Sequence, residues 1–206
     1  KPAVQESDSH ISNSFVSKAG LGEVRLSLST SLKALMIAYS LVTFANAAVG
    51  RYYIIYATEV IHLSAFQWSM IVSLQFLLAS LLRIPGGKAA GKFGKRKVLI
   101  FSVLLCSPFT ILFTLSSSFI QTLVVLLLLV AAGIYYGAAH EALQADLTPK
   151  VVRGRIAALW LMSSALGAGL GAFLGGWIFQ TVSPSAPFYL FPVGELAAFV
   201  FLFLGV

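Results

Sequence analysis

Gly87-Lys88-Ala89-Ala90-Gly91-Lys92-Phe93-Gly94-Lys95-Arg96-Lys97 separates two long apolar runs. Five of these eleven residues are cationic and three are glycine. Loops rich in Lys and Arg stay on the cytoplasmic side of a membrane. The stretch therefore sets an orientation, provided that the runs beside it cross a bilayer. Composition says that they do. Only 10% of the 206 residues are charged and 58% are hydrophobic, with a mean hydropathy of +0.90. A soluble domain carries roughly 25% charged residues, and a chain this poor in charge cannot cover a water-facing surface. The formal net charge of +7 raises nucleic acid as a partner. The cations, however, sit in short loops beside apolar runs, which is the pattern of membrane orientation rather than of a DNA-binding face. No nucleic-acid partner is expected.

Six apolar segments lie outward from this loop, at 32–57, 67–85, 98–116, 119–143, 156–179 and from 188 onward. Each is close to or above the length of about 20 residues that a spanning helix needs. The last reads as cut short. With Lys1 in place of Met, the chain reads as a fragment of a longer protein. Residues 1–31 are polar and Ser-rich. They read as a flexible cytoplasmic linker with a short surface helix near 21–28, and not as a signal peptide. The linkers 59–66, 117–118 and 180–187 are free of cations, whereas 88–97 and 149–155 are basic. Every Lys and Arg except Arg51 lies near the N-terminus, in the two basic loops or at Arg83 beside one. The N-terminus and both basic loops are thus expected in the cytoplasm. Three crossings return the chain on the opposite side, so the two triplets of helices would be inverted relative to each other, a known transporter design. The expected fold class is an all-α, multi-pass membrane protein. The single Cys106 supports neither an intramolecular disulfide nor a metal site, and reads as a small packed side chain.

The basic loop resembles motif A of the major facilitator superfamily, G-x-x-x-D-[RK]-x-G-[RK]-[RK], with Gly87, Lys92, Gly94, Lys95 and Arg96 matching and Gly91 at the Asp position. Asp146, followed by Lys150, Arg153 and Arg155, is similar to the family's loop between the fourth and fifth helices of a half. Gly167, Gly171 and Gly175 in the fifth helix are similar to its glycine motif, with Ala172 where antiporters often carry Pro. The resemblance covers about residues 32–206. It implies six transmembrane helices as two inverted three-helix repeats, one half of a twelve-helix fold. The degenerate motif A and the polar leader suggest the C-terminal half, so the N-terminal six-helix half of the same protein is an expected partner, along with the lipid bilayer. Loss of the motif's Asp leaves Glu141 and Asp146 to supply the acids of any cytoplasmic gate. The loop is then either a positive-inside anchor or a hinge whose cations pair with those acids. Glu141 would pair with Arg83, Arg153 or Arg155, or carry a proton.

Residues 167, 171 and 175 share one helix face, suited to close backbone packing in lipid or to a surface that slides between states. Ionisable residues inside spans are functional candidates by default. Arg51 lies roughly 27 Å along a helix from Lys33 at 1.5 Å per residue. It either snorkels to the outer surface or lines the cavity and holds a carboxylate or phosphate. Asn46, Gln75, Tyr135 and Tyr136 are the other cavity candidates, and Tyr52, Tyr53 and Tyr56 read as an aromatic belt. Glu195 must pair or be protonated. Arg51 is a conceivable partner, although the sixth helix of the resembled fold is peripheral. His140 and Glu141 begin a zinc-protease pattern that Gln144 breaks. No nucleophile–base cluster or nucleotide loop is present, so no enzyme activity and no cofactor is expected. The reading is a secondary transporter of a small solute in the plasma membrane, working by alternating access and coupled to a proton or sodium ion. The alternative is a non-transporting scaffold or receptor-like protein with the same fold.

Overall fold

The computed structural model describes residues 29–205. The polar leader, with its expected helix near 21–28, falls outside the described residues up to position 28. The described helices are α1 (Thr30–Gly50), α2 (Tyr52–Glu59), α3 (Ala65–Phe93), α4 (Lys95–Thr114), α5 (Phe119–Leu147), a 3₁₀ turn (Lys150–Val152), α6 (Arg153–Thr181) and α7 (Ala186–Gly205). With α1 and α2 taken together as Thr30–Glu59, six helical segments are long and apolar enough to cross a membrane. No strand occurs among the described residues.

The first span is interrupted at Arg51, directly after Gly50. A larger departure from the sequence reading lies at the basic loop. The chain stays helical through Pro85 to Phe93, and α4 begins at Lys95, so a ten-residue loop becomes a one-residue turn. Only Gly94 serves the turn, with φ 92°. Side chains are strained there and glycine is not. Gly87 and Gly91 lie inside α3. Likewise Asp146 falls in the last turn of α5, and Arg153 and Arg155 in the first turn of α6.

Helix starts are of two kinds, capped by a side chain, as where Ser29 caps α1, and uncapped. Ser64 and Ser118 cap α3 and α5 through their side chains, Ser64 in a reciprocal capping box with Gln67. No side-chain cap is made at the starts of α4 and α6, and cations stand there instead. Cations at a helix N-terminus oppose its dipole by about 0.3–1 kcal/mol each. At the start of α4, the contacts of Lys95 and Arg96 with neighbouring helix ends offset that cost.

Helix α1 packs along α6 and α7, while α5 packs along α3 and α4, and α4 meets α7 between them. Exchanging the first three spans for the last three maps this contact pattern onto itself. The inverted repeat is thus present in the packing. The α1–α6 contact is set by glycine. A Cβ added at Gly167, Gly171 or Gly175 would fall against the carbonyl oxygens of Ser40, Phe44 and Ala48, respectively. Both helices therefore run in a four-residue register, backbone on backbone. On the other side of α1, Gly194 of α7 faces Ala45. Where lipid tails are as apolar as the side chains, close packing of this kind holds helices together.

Gly171→Ala is expected to destabilise the protein by about 1–3 kcal/mol through overpacking. Gly169→Ala, where an added Cβ meets nothing within 4 Å, should leave stability unchanged or raise it. Thermal unfolding of the two variants in detergent decides this. Equal melting temperatures would remove the backbone contact as the reason for glycine at 171.

Candidate functional site

Two apolar clusters stack along the bundle. One, around Leu35, Leu99, Ile156 and Trp160, lies toward the basic end. The other, around Val49, Phe113, Leu126 and Phe188, lies toward the cation-poor end. A cavity of about 420 Å³ opens where they meet, its lining drawn from both. Three of the residues singled out in the sequence, Asn46 of α1, Gln75 of α3 and Tyr136 of α5, line it. Tyr53 of α2, Trp68 of α3, Cys106 of α4 and Glu195 of α7 also line it. Six helices thus contribute.

The polar groups are held in place by their neighbours. Asn46 Nδ2 donates to the Val42 carbonyl at 2.8 Å, and Gln75 Nε2 donates to the Leu126 carbonyl at 3.5 Å. The Tyr53 hydroxyl lies 3.4 Å from Thr110 Oγ1, which itself donates to the Cys106 carbonyl at 3.1 Å. Pro192, one turn before Glu195, has no N–H to complete the helical ladder of α7. Glu195 is 2% exposed. It forms no ion pair or hydrogen bond with any described residue.

The remaining candidates lie elsewhere. Arg51 is exposed at the α1–α2 break, next to the cavity-lining Gly50. It makes no ion pair with Glu195. Tyr135 projects away from its neighbour Tyr136 into a separate groove of about 790 Å³, lined by α3, α4, α5 and α7 and almost wholly apolar. At the basic end Lys95 Nζ binds Asp146 Oδ2 at 2.5 Å and donates to the Ala142 carbonyl at 3.3 Å. Arg96 donates to the Phe203 carbonyl at 2.7 Å. These cations at the start of α4 thereby meet the C-terminal, partly negative ends of α5 and α7. Lys92 stands over its neighbour Phe93. Glu141 is exposed and is absent from the ion pairs among the described residues. Arg153 is exposed at the start of α6, near Arg155.

Sequence reasoning placed Glu195 on a peripheral helix, Tyr53 in an aromatic belt and Cys106 in packing. The available signal for Glu195 was its charge in an apolar run. His140 was read only as part of a failed metal motif. Its ring is 4% exposed, stacks on Tyr39 at 4.3 Å and tilts against Trp160 at 5.1 Å, and its Nε2 has no hydrogen-bond partner among the described residues. The side chain thus fills the junction of α1, α5 and α6, one turn from Tyr136.

Six apolar helices in an inverted packing, around a mid-depth cavity with scattered polar groups, define a multi-pass membrane-transport unit. Residues 35–206 match the Major Facilitator Superfamily, and the chain belongs to that family of transporters. It is also 34% identical over 120 residues to a protein described as probable anion transporter 5 from Arabidopsis thaliana. The match covers 57% of this chain and 28% of the relative's length.

Cys106 reports on the cavity. A small water-soluble thiosulfonate reagent should modify it in the full-length protein, read by mass spectrometry of its peptide. Gly133→Leu, whose side chain would enter open space in the lining, should slow the reaction severalfold. Equal rates in both proteins would show that the reagent does not arrive through the cavity.

Proposed function

We propose that this chain is the C-terminal half of a secondary transporter that moves a small anionic solute across the plasma membrane by alternating access. The observation that carries the reading is the cavity at the junction of the two clusters, lined by Asn46, Gln75 and Tyr136 from α1, α3 and α5. Binding sites of such carriers lie near the bilayer midplane at repeat interfaces. The N-terminal six-helix half would complete the cavity. Exposed apolar faces on α3 (Phe76, Leu77, Ile84) and α6 (Leu166, Leu170, Phe173) are the surfaces available for it. The basic ends face the cytoplasm in this reading, as the distribution of cations favours.

The anionic class is supported by the description of the plant relative and by Arg51, the cation beside the cavity-lining Gly50. Guanidinium groups hold carboxylates and phosphates in bidentate fashion. In reconstituted vesicles, the full-length protein should take up inorganic phosphate or another small anion from a panel saturably. Arg51→Ala should lose about tenfold or more of that uptake, as removing a charge-assisted hydrogen bond of about 1.5–3 kcal/mol implies. Absence of saturable flux for every anion in the panel would sink the transport reading in favour of a scaffold that keeps the fold.

The cytoplasmic end serves as a gate in the same cycle. The Lys95 and Asp146 side chains are 32% and 57% exposed, and exposed pairs contribute at most about 1 kcal/mol. A contact of that strength closes a gate without locking it. Lys92→Ala combined with Arg96→Ala, which removes the bond to Phe203, should slow transport while orientation is retained. Unchanged transport rate and orientation would reduce the loop to an anchor.

A further inference from the structure

The groove of about 790 Å³ that Tyr135 lines takes no part in the transport reading. Small side chains, Ala89, Ser102, Ala131 and Ala132, give it depth, and the exposed rings of Phe93 and Phe101 stand in its wall. On α4 the lining runs from Lys97 to Phe109, twelve positions and about 18 Å along the axis. The hydrocarbon of one leaflet is about 15 Å deep, half of a core of about 30 Å. The groove thus has the length of one leaflet, and Lys97 stands at the end where headgroups lie. Lys92 adds a second cation there, its Nζ 5.4 Å over the ring of Phe93. Neither lysine forms an ion pair or hydrogen bond with any described residue. Arg96, by contrast, is committed to the carbonyl of Phe203, and Lys95 to Asp146 and the Ala142 carbonyl. Two cations of the basic end therefore hold neighbouring helix ends, and two remain at the mouth of the groove.

A lipid-facing groove of this volume is filled, because an empty one would leave its walls without contacts. Tails alone fill it without selectivity, since they are as apolar as the walls. Selectivity comes from the charge at the mouth. We propose that the groove binds an anionic phospholipid, with one acyl chain lying along α4 and the headgroup phosphate at Lys97 and Lys92. Anionic lipids concentrate in the cytoplasmic leaflet, the side that the basic ends face in the orientation given above. A second copy of this chain is a poor occupant, because it would bring the same cations to the mouth. The N-terminal half has other surfaces: the exposed faces of α3 and α6 available to it, with Phe76, Ile84 and Leu170, contribute nothing to the lining. The groove also shares a wall with the cavity. Chain neighbours divide between the two spaces, Leu105 and Cys106 on α4, and Leu128 and Leu129, then Tyr135 and Tyr136, on α5. The first of each pair lines the groove and the second lines the cavity. A lipid in the groove therefore backs the wall that carries Tyr136.

The test is native mass spectrometry of the purified full-length protein, with dioleoyl phosphatidylglycerol and dioleoyl phosphatidylcholine added at equal concentration. A cation near an anionic lipid surface is worth about fivefold. The wild type should therefore retain phosphatidylglycerol about tenfold or more over phosphatidylcholine, and Lys92→Gln combined with Lys97→Gln should bring the two lipids near parity. Lys33→Gln, which removes an exposed cation at the same end but outside the lining, should leave the preference in place. Ala131→Phe, which fills the middle of the groove, should lower retention of phosphatidylglycerol severalfold although both lysines remain. If that variant does not fold, Leu128→Trp, at an exposed lining position, replaces it. Equal retention of the two lipids by the wild type overturns the proposal. A loss with Lys33→Gln as large as with the lysine pair also overturns it, in favour of diffuse attraction to a basic surface. Retention unchanged by the groove-filling variant shows that no chain lies in the groove and overturns it equally. No readout involves flux, so loss of the transport reading leaves this site standing, and loss of the site leaves the transport reading standing.

Discussion

The structure depends on backbone meeting backbone between α1 and α6. In water, burying large side chains would join two helices. Inside a bilayer that gain vanishes, and what remains is dispersion between closely fitted surfaces. Gly167, Gly171 and Gly175 meet the carbonyls of Ser40, Phe44 and Ala48 in matching steps. Half of the eight buried residues of α1 are themselves small, Ala34, Ala38, Ala45 and Ala48. This contact fixes α1 inside the bundle, and α7 then closes on it through Gly194. With α1 in place, Asn46 faces the α3 and α5 side, where Gln75 and Tyr136 complete the cavity wall.

The charges obey a second constraint, the cost of moving them across lipid. Lys and Arg resist translocation, and this biases the orientation a chain takes. The structure shows that the same cations are then reused. Lys95 and Arg96, badly placed for the dipole of their own helix, are well placed for the C-terminal ends of α5 and α7. Topology and tertiary packing at the basic end are therefore served by the same side chains.

Much of the fold was legible in the sequence. Span number, inverted arrangement and glycine register all follow from patterns that do not depend on knowing which way a helix faces. The one-residue turn at Gly94 was not legible, because Pro85 and the glycines at 87 and 91 read as breakers, while a membrane helix tolerates both when its neighbours supply the packing. Gly86, directly after Pro85, lies against Ala138 and Ile134 of α5. The cavity was half legible. Asn46, Gln75 and Tyr136 stood out as polar groups in apolar runs. Their facing, and the inward turn of Glu195, did not, since helices that are apolar all round carry no amphipathic stripe to orient them. Tyr135 and Tyr136 show the limit clearly, as adjacent residues of one type that line different spaces.

The turn at Gly94 has a mechanical corollary. Two long helices meet there with one residue between them, so any change in the angle between them is concentrated in very few torsions. Helix α4 is tied at that end through Lys95 and Arg96, whereas α3 runs some 43 Å away from it at 1.5 Å per residue. A rotation of about 10° at the glycine would carry the far end of α3 through roughly 7 Å. Any such change would therefore be felt least beside the charges and most at the far end of α3.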